Sequence, residues 1–156
     1  MKLHICAVGR LRAGPERALF DDYLMRADRA GRALGLGPCT LHEVEGKKGG
    51  GMAAEAALLD RALPAGAVLV ALDERGKLLC SPGFADKLAE WRDMGRSDAA
   101  FVIGGADGIA PDLRGRADFT LSLGKMVWPH MLARVMLAEQ IFRATSILAG
   151  APYHRA

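Results

Sequence analysis

Residues 67–73 read AVLVALD. A continuous apolar run of this length, closed by an acid, is what a central strand of a parallel sheet needs when both of its faces are covered. The same reading extends outward. AAFVIGG (99–105) is a second buried strand, and KLHICAVG (2–9) is apolar and rich in β-formers. TLHEVEG (40–46) alternates like a half-buried strand, and DFTLSL (118–123) is a short fifth one. Between them lie helical stretches. Pro15 to Leu34 carries Ala18, Leu19, Tyr23, Leu24 and Ala27 at helical spacing, and Met52 to Leu63 is Ala/Leu-rich with Pro64 after its end. Pro82 to Met94 has Ser81 placed as an N-cap and Pro82 at the first position. Pro129 to Ala149 is the final long helix, stopped by Gly150 and Pro152. The order β-α-β-α-β-α-β-β-α predicts an α/β fold, a parallel sheet with helices on both faces.

The chain has 156 residues, enough for one domain, with a short tail over 151–156. Apolar residues make up 51%, charged residues 25%, and the mean hydropathy is +0.11, which excludes a disordered chain. No run approaches the roughly 18 apolar residues of a membrane span. The short apolar stretch of MKLHICAVGR passes into Arg-rich helical sequence, so no signal peptide is expected and the location is expected to be cytoplasmic. Cys6, Cys39 and Cys80 are scattered singly, against a disulfide framework or a structural zinc site, and no metal is expected.

The net charge of +3 is unevenly placed. From Gly124 onward there are four bases (Lys125, Arg134, Arg143, Arg155) and one acid, Glu139; the rest of the chain balances. Such a surplus suits a polyanionic partner or a solvated face. The final helix is apolar on nearly every side, including Val135 and Ile141. Either it is buried in its own domain or it forms a two-fold dimer interface; at this chain length a dimer is the expectation.

In parallel α/β sheets, ligands gather at the carboxyl ends of the strands. Those ends read LDERGK, IGGADG and SLGKMVWP. The Gly104–Gly108 loop is neither a dinucleotide fingerprint nor a P-loop. It is either a turn that requires glycines or a backbone that closely approaches a ligand. Asp73 and Glu74 are expected to face water. Leu123 to Pro129 combines Gly124 and Lys125 with an apolar slot of Met126, Val127 and Trp128, which suits a planar ring or simple helix-entry packing. The basic, glycine-rich loop GKKGGG (46–51) suits a phosphate backbone or a solvated linker. His4 is expected to be structural and His42 to face solvent.

The tail Tyr153-His154-Arg155 places an aromatic, an imidazole and a guanidinium in succession. That set can stack on a base, move a proton and hold a phosphate. Lying beyond Gly150 and Pro152, it is expected to add little to the core.

MKLHICAVGR, LDERGK, FVIGGADG, LSLGKMVWPHMLAR, EQIFRA and PYHR span almost the whole chain in order. Together they resemble the SPOUT-class methyltransferases that use S-adenosylmethionine to methylate N3 of a pseudouridine in large-subunit (23S) ribosomal RNA. The resemblance implies a trefoil-knotted α/β fold and an obligate homodimer acting on the ribosome, with the cofactor held in the knot at the subunit interface. It also implies cofactor contacts at Leu72, Gly104, Leu123, Gly124, Lys125, Met126, Val127 and Trp128. His154 would be the base, Arg155 would hold the RNA or orient the nucleobase, and Tyr153 would stack. The chain departs from the family pattern at Ala151, where a His is common, and at Ala156, where many tails carry an acid. A nucleotide-binding oxidoreductase and a non-enzymatic ribosome-binding factor are the other two readings. The missing fingerprint disfavours the first, and three converging glycine loops disfavour the second.

Overall fold

The computed structural model describes residues 1–46 and 49–155. The two lysines of the GKKGGG loop and the terminal Ala156 therefore lie outside the described residues. In chain order the elements are β1 (Lys2–Val8), α1 (Pro15–Gly31), a 3-10 turn (Arg32–Leu34), β2 (Cys39–Val44), α2 (Gly51–Ala62) and β3 (Val68–Leu78). They continue with α3 (Ser81–Asp93), β4 (Asp98–Ile103), α4 (Pro111–Gly115), β5 (Phe119–Ser122) and α5 (His130–Leu148). The five strands form one sheet in the order β2-β1-β4-β3-β5, with every neighbouring pair parallel.

Strand alternation divides the core. Leu3, Ile5, Val70 and Phe101 point to one face, where they meet Phe20, Leu88 and Ile141 from α1, α3 and α5. Cys6, Ala71 and Val102 point to the other, against Leu59 of α2 and Leu113 of α4. Helices on both faces explain why the central strands read as unbroken apolar runs.

The structure corrects several local expectations. A short helix, α4, stands between the last two strands; five residues carry no hydrophobic period by which to read it. Cys80, not Ser81, caps α3, and the Ser81 hydroxyl donates instead to Gln140 Oε1 at 2.8 Å. His42 is half-buried, its Nε2 3.0 Å from His4 Nδ1, while His4 Nε2 meets Asp98 at 2.8 Å. Burial, and then the neighbouring His4, hold the His42 imidazole below its ordinary pKa.

Strand β3 runs on to Leu78, past the loop expected after Asp73. Leu121 of β5 aligns with Leu72 and again with Lys77. Residues 73–76 therefore arch out of the ladder over one position of β5. Gly76 must be glycine: a Cβ there would stand 2.6 Å from the Thr120 carbonyl oxygen.

Helix α5 is chiefly a core element. Val135, Leu137, Ile141 and Phe142 are buried within the subunit. Charges at Val135 and Ile141 would therefore attack the core, and the expectation that they mark a subunit interface is corrected. The exposed apolar residues of this region are Met126, Val127, Trp128, Met131 and Leu132, at the entry to the helix. Ile141→Ala should lower the unfolding free energy by about 2–5 kcal/mol, read by urea denaturation; a change below 0.5 kcal/mol would contradict this burial.

Candidate functional site

The carboxyl ends of β3, β4 and β5 enclose a cavity of about 610 Å³, within the usual range for a small-molecule site. Its walls come from residues 72–75, 103–109, 121, 123–124 and 126–129, closed by His130 and Ala133 of α5. Leu72, Gly104, Leu123, Gly124, Met126, Val127 and Trp128 all line it. Lys125 does not; its side chain is exposed at the rim.

Each wall has a local cause. After β4, the Gly108 N–H donates to the Gly105 carbonyl at 3.1 Å, and Gly108 takes a φ of +85°. A Cβ on Gly104 would lie 2.3 Å from the Gly108 backbone. The turn itself thus demands Gly104, and a valine there would force the loop open as well as filling the cavity. After β5, Gly124 has a φ of +131°, and its N–H donates to the Ser122 hydroxyl at 3.1 Å. That hydroxyl also lies 3.2 Å from the Glu74 carbonyl, so Ser122 joins the arch to the β5 exit.

Asp73 was expected in water. Instead it is buried, taking 2.8 Å hydrogen bonds from Arg75 and a 3.1 Å one from Arg114 of α4. These donors, Arg75 first, hold the carboxyl well below the usual carboxylate range against the opposing effect of burial. Glu74 beside it is exposed. Sequence alone did not separate the two, because both sit in the same acidic dipeptide and only one points inward.

His130 closes the helix side of the cavity. Burial, and then the Arg134 cation, hold its imidazole below the ordinary value. Arg134 is fully buried, pairing with Glu43 at 3.1 Å and donating to the Gly9 carbonyl at 3.0 Å. Arg143 binds Glu139. Two of the four C-terminal bases are therefore internal ties, and the exposed pair is Lys125 and Arg155. The proposed basic face is reduced accordingly.

None of the described tail residues, 151–155, lines this cavity. Tyr153 packs on Phe142 with ring centroids 4.5 Å apart, and its hydroxyl donates to Glu139 at 3.0 Å. Burial, followed by the Tyr23 and Glu139 contacts, pushes its pKa up to about 12. The expectation that the tail adds little to packing is corrected. His154 Nδ1 lies 3.3 Å from an Arg143 guanidinium nitrogen. Among the described residues, no three His, Cys, Asp or Glu side chains are placed to hold a metal. No helix among them is long and apolar enough to cross a membrane.

A family model described as "Predicted SPOUT methyltransferase" matches residues 1–154. The chain belongs to the SPOUT methyltransferase family. Among its SPOUT relatives, ribosomal RNA large subunit methyltransferase H from Ruegeria pomeroyi is 70% identical over 155 residues, covering 99% of both chains. The proteins of that name from Ruegeria sp. (strain TM1040) and Paracoccus denitrificans are each 68% identical with the same coverage. A solved structure of a probable methylase family protein from Haemophilus influenzae Rd KW20 superposes with a TM-score of 0.52. It covers 99% of this chain and 70% of that one at 13% identity, and so speaks to the fold alone.

The Asp73 clamp has a pH signature. A carboxyl whose folded pKa is depressed contributes stability above its unfolded value of about 3.9 and loses it as pH falls toward the folded value. Wild-type stability should fall from about pH 5 downward, with an Asp73 component that Asp73→Asn lacks. Parallel stability–pH curves for the two proteins below pH 5 would contradict the clamp.

Proposed function

We propose that this chain is an S-adenosylmethionine-dependent methyltransferase acting on N3 of a pseudouridine in large-subunit ribosomal RNA. The observation that carries the reading is the cavity itself, which gathers seven of the eight residues expected to hold the methyl donor. The residues fit that group. Gly104 and Gly105 bring backbone to the cavity wall, Leu72, Leu123 and Val127 offer apolar contact, and Trp128 offers an aromatic surface. S-adenosylmethionine carries no phosphate, so the absence of a P-loop or fingerprint is consistent with it. When bound, it supplies an electrophilic methyl group on a sulfonium centre.

The protein contributes position. Fixing two reactants near attack distance removes on the order of 7–11 kcal/mol of barrier. The trefoil knot that the resemblance implies would place the arch of residues 73–76 around the β5 exit. His154 is the proposed base for the N3 proton and Arg155 the proposed RNA contact. In this structure His154 Nδ1 faces Arg143, so acting as a base requires that contact to open when RNA enters. Tyr153, engaged by Phe142 and Glu139, anchors the tail and holds these two residues in place.

A homodimer joins the two halves. The described tail does not line the cavity of its own subunit, while exposed Met126, Val127, Trp128, Met131 and Leu132 stand beside that cavity. In the proposed assembly this apolar edge meets a second copy, and the tail of each subunit serves the cavity of the other.

Four outcomes test the reading. S-adenosylmethionine at 100 times its Kd should stabilise the protein by about 2.7 kcal/mol, and NAD should not. The protein should methylate ribosomes from a strain lacking it, with the product mapped to a pseudouridine by mass spectrometry. His154→Ala should lower that rate about 10²–10⁴-fold; full turnover across pH 6–9 would end its assignment as base. Mixed dimers, their assembly verified by sedimentation, should recover turnover when Gly104→Val chains pair with chains carrying His154→Ala and Arg155→Ala. Failure of such pairs to recover turnover would contradict the shared site.

A further inference from the structure

Arg134 is the largest fully buried side chain among the described residues. One terminal nitrogen pairs with Glu43 at 3.1 Å. The other donates to the Val8 and Gly9 carbonyls at the end of β1. Glu43 is itself fixed by the Leu11 N–H at 2.6 Å, so the guanidinium is held from two sides. Its Nε is buried without a partner.

The nitrogen that meets Val8 and Gly9 also lies 3.3 Å from His130 Nδ1, one turn earlier on α5. The two N–H groups of that nitrogen are shared among the Val8 and Gly9 carbonyls and Nδ1; a guanidinium has donors and no acceptor, so the accepting form of Nδ1 is the one this contact favours. A neutral imidazole with an accepting Nδ1 carries its proton on Nε2. His130 also lines the cavity. The ring thus has one nitrogen committed to the interior and the other free to donate to a ligand.

We propose that Arg134 is a positioning residue that fixes His130 as a neutral Nε2–H donor in the cavity wall, and that this N–H stabilises negative charge on the nucleobase during methylation. The inference rests on the functional reading above. The target N3 of a pseudouridine is an imide nitrogen between two carbonyls. As N3 loses its proton to a base, charge spreads onto both flanking oxygens. The N3 electron pair then forms the bond to the methyl carbon, whose bond to sulfur breaks with its pair remaining on sulfur. A donor fixed before the reaction and aimed at one of those oxygens favours the charged state over the neutral base. A protonated imidazole would tend to give its proton away, whereas the neutral donor keeps it.

The tautomer is measurable without substrate. Nitrogen-15 spectra of histidine-labelled protein at pH 7, with the signal assigned through His130→Gln, should show protonated Nε2 and unprotonated Nδ1; the reverse pattern would overturn the proposal. In ribosome methylation, His130→Leu should lower kcat about 10²–10³-fold, a loss far larger than any accompanying change in KM or in the calorimetric affinity for S-adenosylmethionine. His130→Gln, which restores an N–H donor, should recover part of the loss. Wild-type turnover in His130→Leu would overturn the proposal. Wild-type protein that binds S-adenosylmethionine yet leaves the ribosome unmethylated would instead sink the functional reading, and the spectrum would still decide where the His130 proton lies.

Discussion

The double pairing of Leu121 with β3 is the constraint on which the rest depends. Because Leu72 and Lys77 both align with this residue, the four residues between them must leave the ladder and arch over β5. The arch survives through a few specific contacts. Gly76 lets its backbone lie against Thr120, Asp73 draws in Arg75 and Arg114, and the Ser122 hydroxyl reaches the Glu74 carbonyl. Holding the β5 exit beneath this arch delivers residues 123–129 beside the Gly104–Gly108 turn, and the cavity is the space that remains.

A second tie runs the other way across the molecule. Arg134 reaches from the first turns of α5 to Glu43 of β2 and to the backbone at the end of β1. It therefore fixes the rotation of the helix whose first residue, His130, walls the cavity. Removing one partner from a buried charged pair typically costs about 3–5 kcal/mol, so this tie tolerates little change. The arch sets where the cavity lies; Arg134 sets which nitrogen His130 turns toward it.

Much of this was legible in the sequence. The unbroken apolar runs of β3 and β4 required cover on both faces, and the three glycine-bearing strand ends marked the edge where the cavity lies. Other features were not legible, for definite physical reasons. Charge counting placed a basic surplus at the C-terminus, but Arg134 is a core residue and Arg143 is neutralised by Glu139. Only tertiary contacts reveal that. Likewise, a helix apolar on every side reads equally as an interface or as a buried element; packing beneath α1 and α3 assigns most of α5 to the core. Asp73 and Glu74 differ only in the direction of alternate side chains, and the arch interrupts that alternation. Tyr153 follows two helix-stopping residues, yet it folds back onto Phe142, a contact encoded by tertiary geometry and not by local pattern.

The central claim is that the cavity between the three strand ends holds the methyl donor. Backbone amide spectra of the labelled protein, titrated with S-adenosylhomocysteine, test it most directly. The account predicts the largest shifts at Leu72, Gly104, Gly105 and Leu123 to Trp128, with little change at Lys2 or Asp98, at the amino ends of β1 and β4. Saturable binding whose shifts fall outside those loops, or no binding at all, would contradict it.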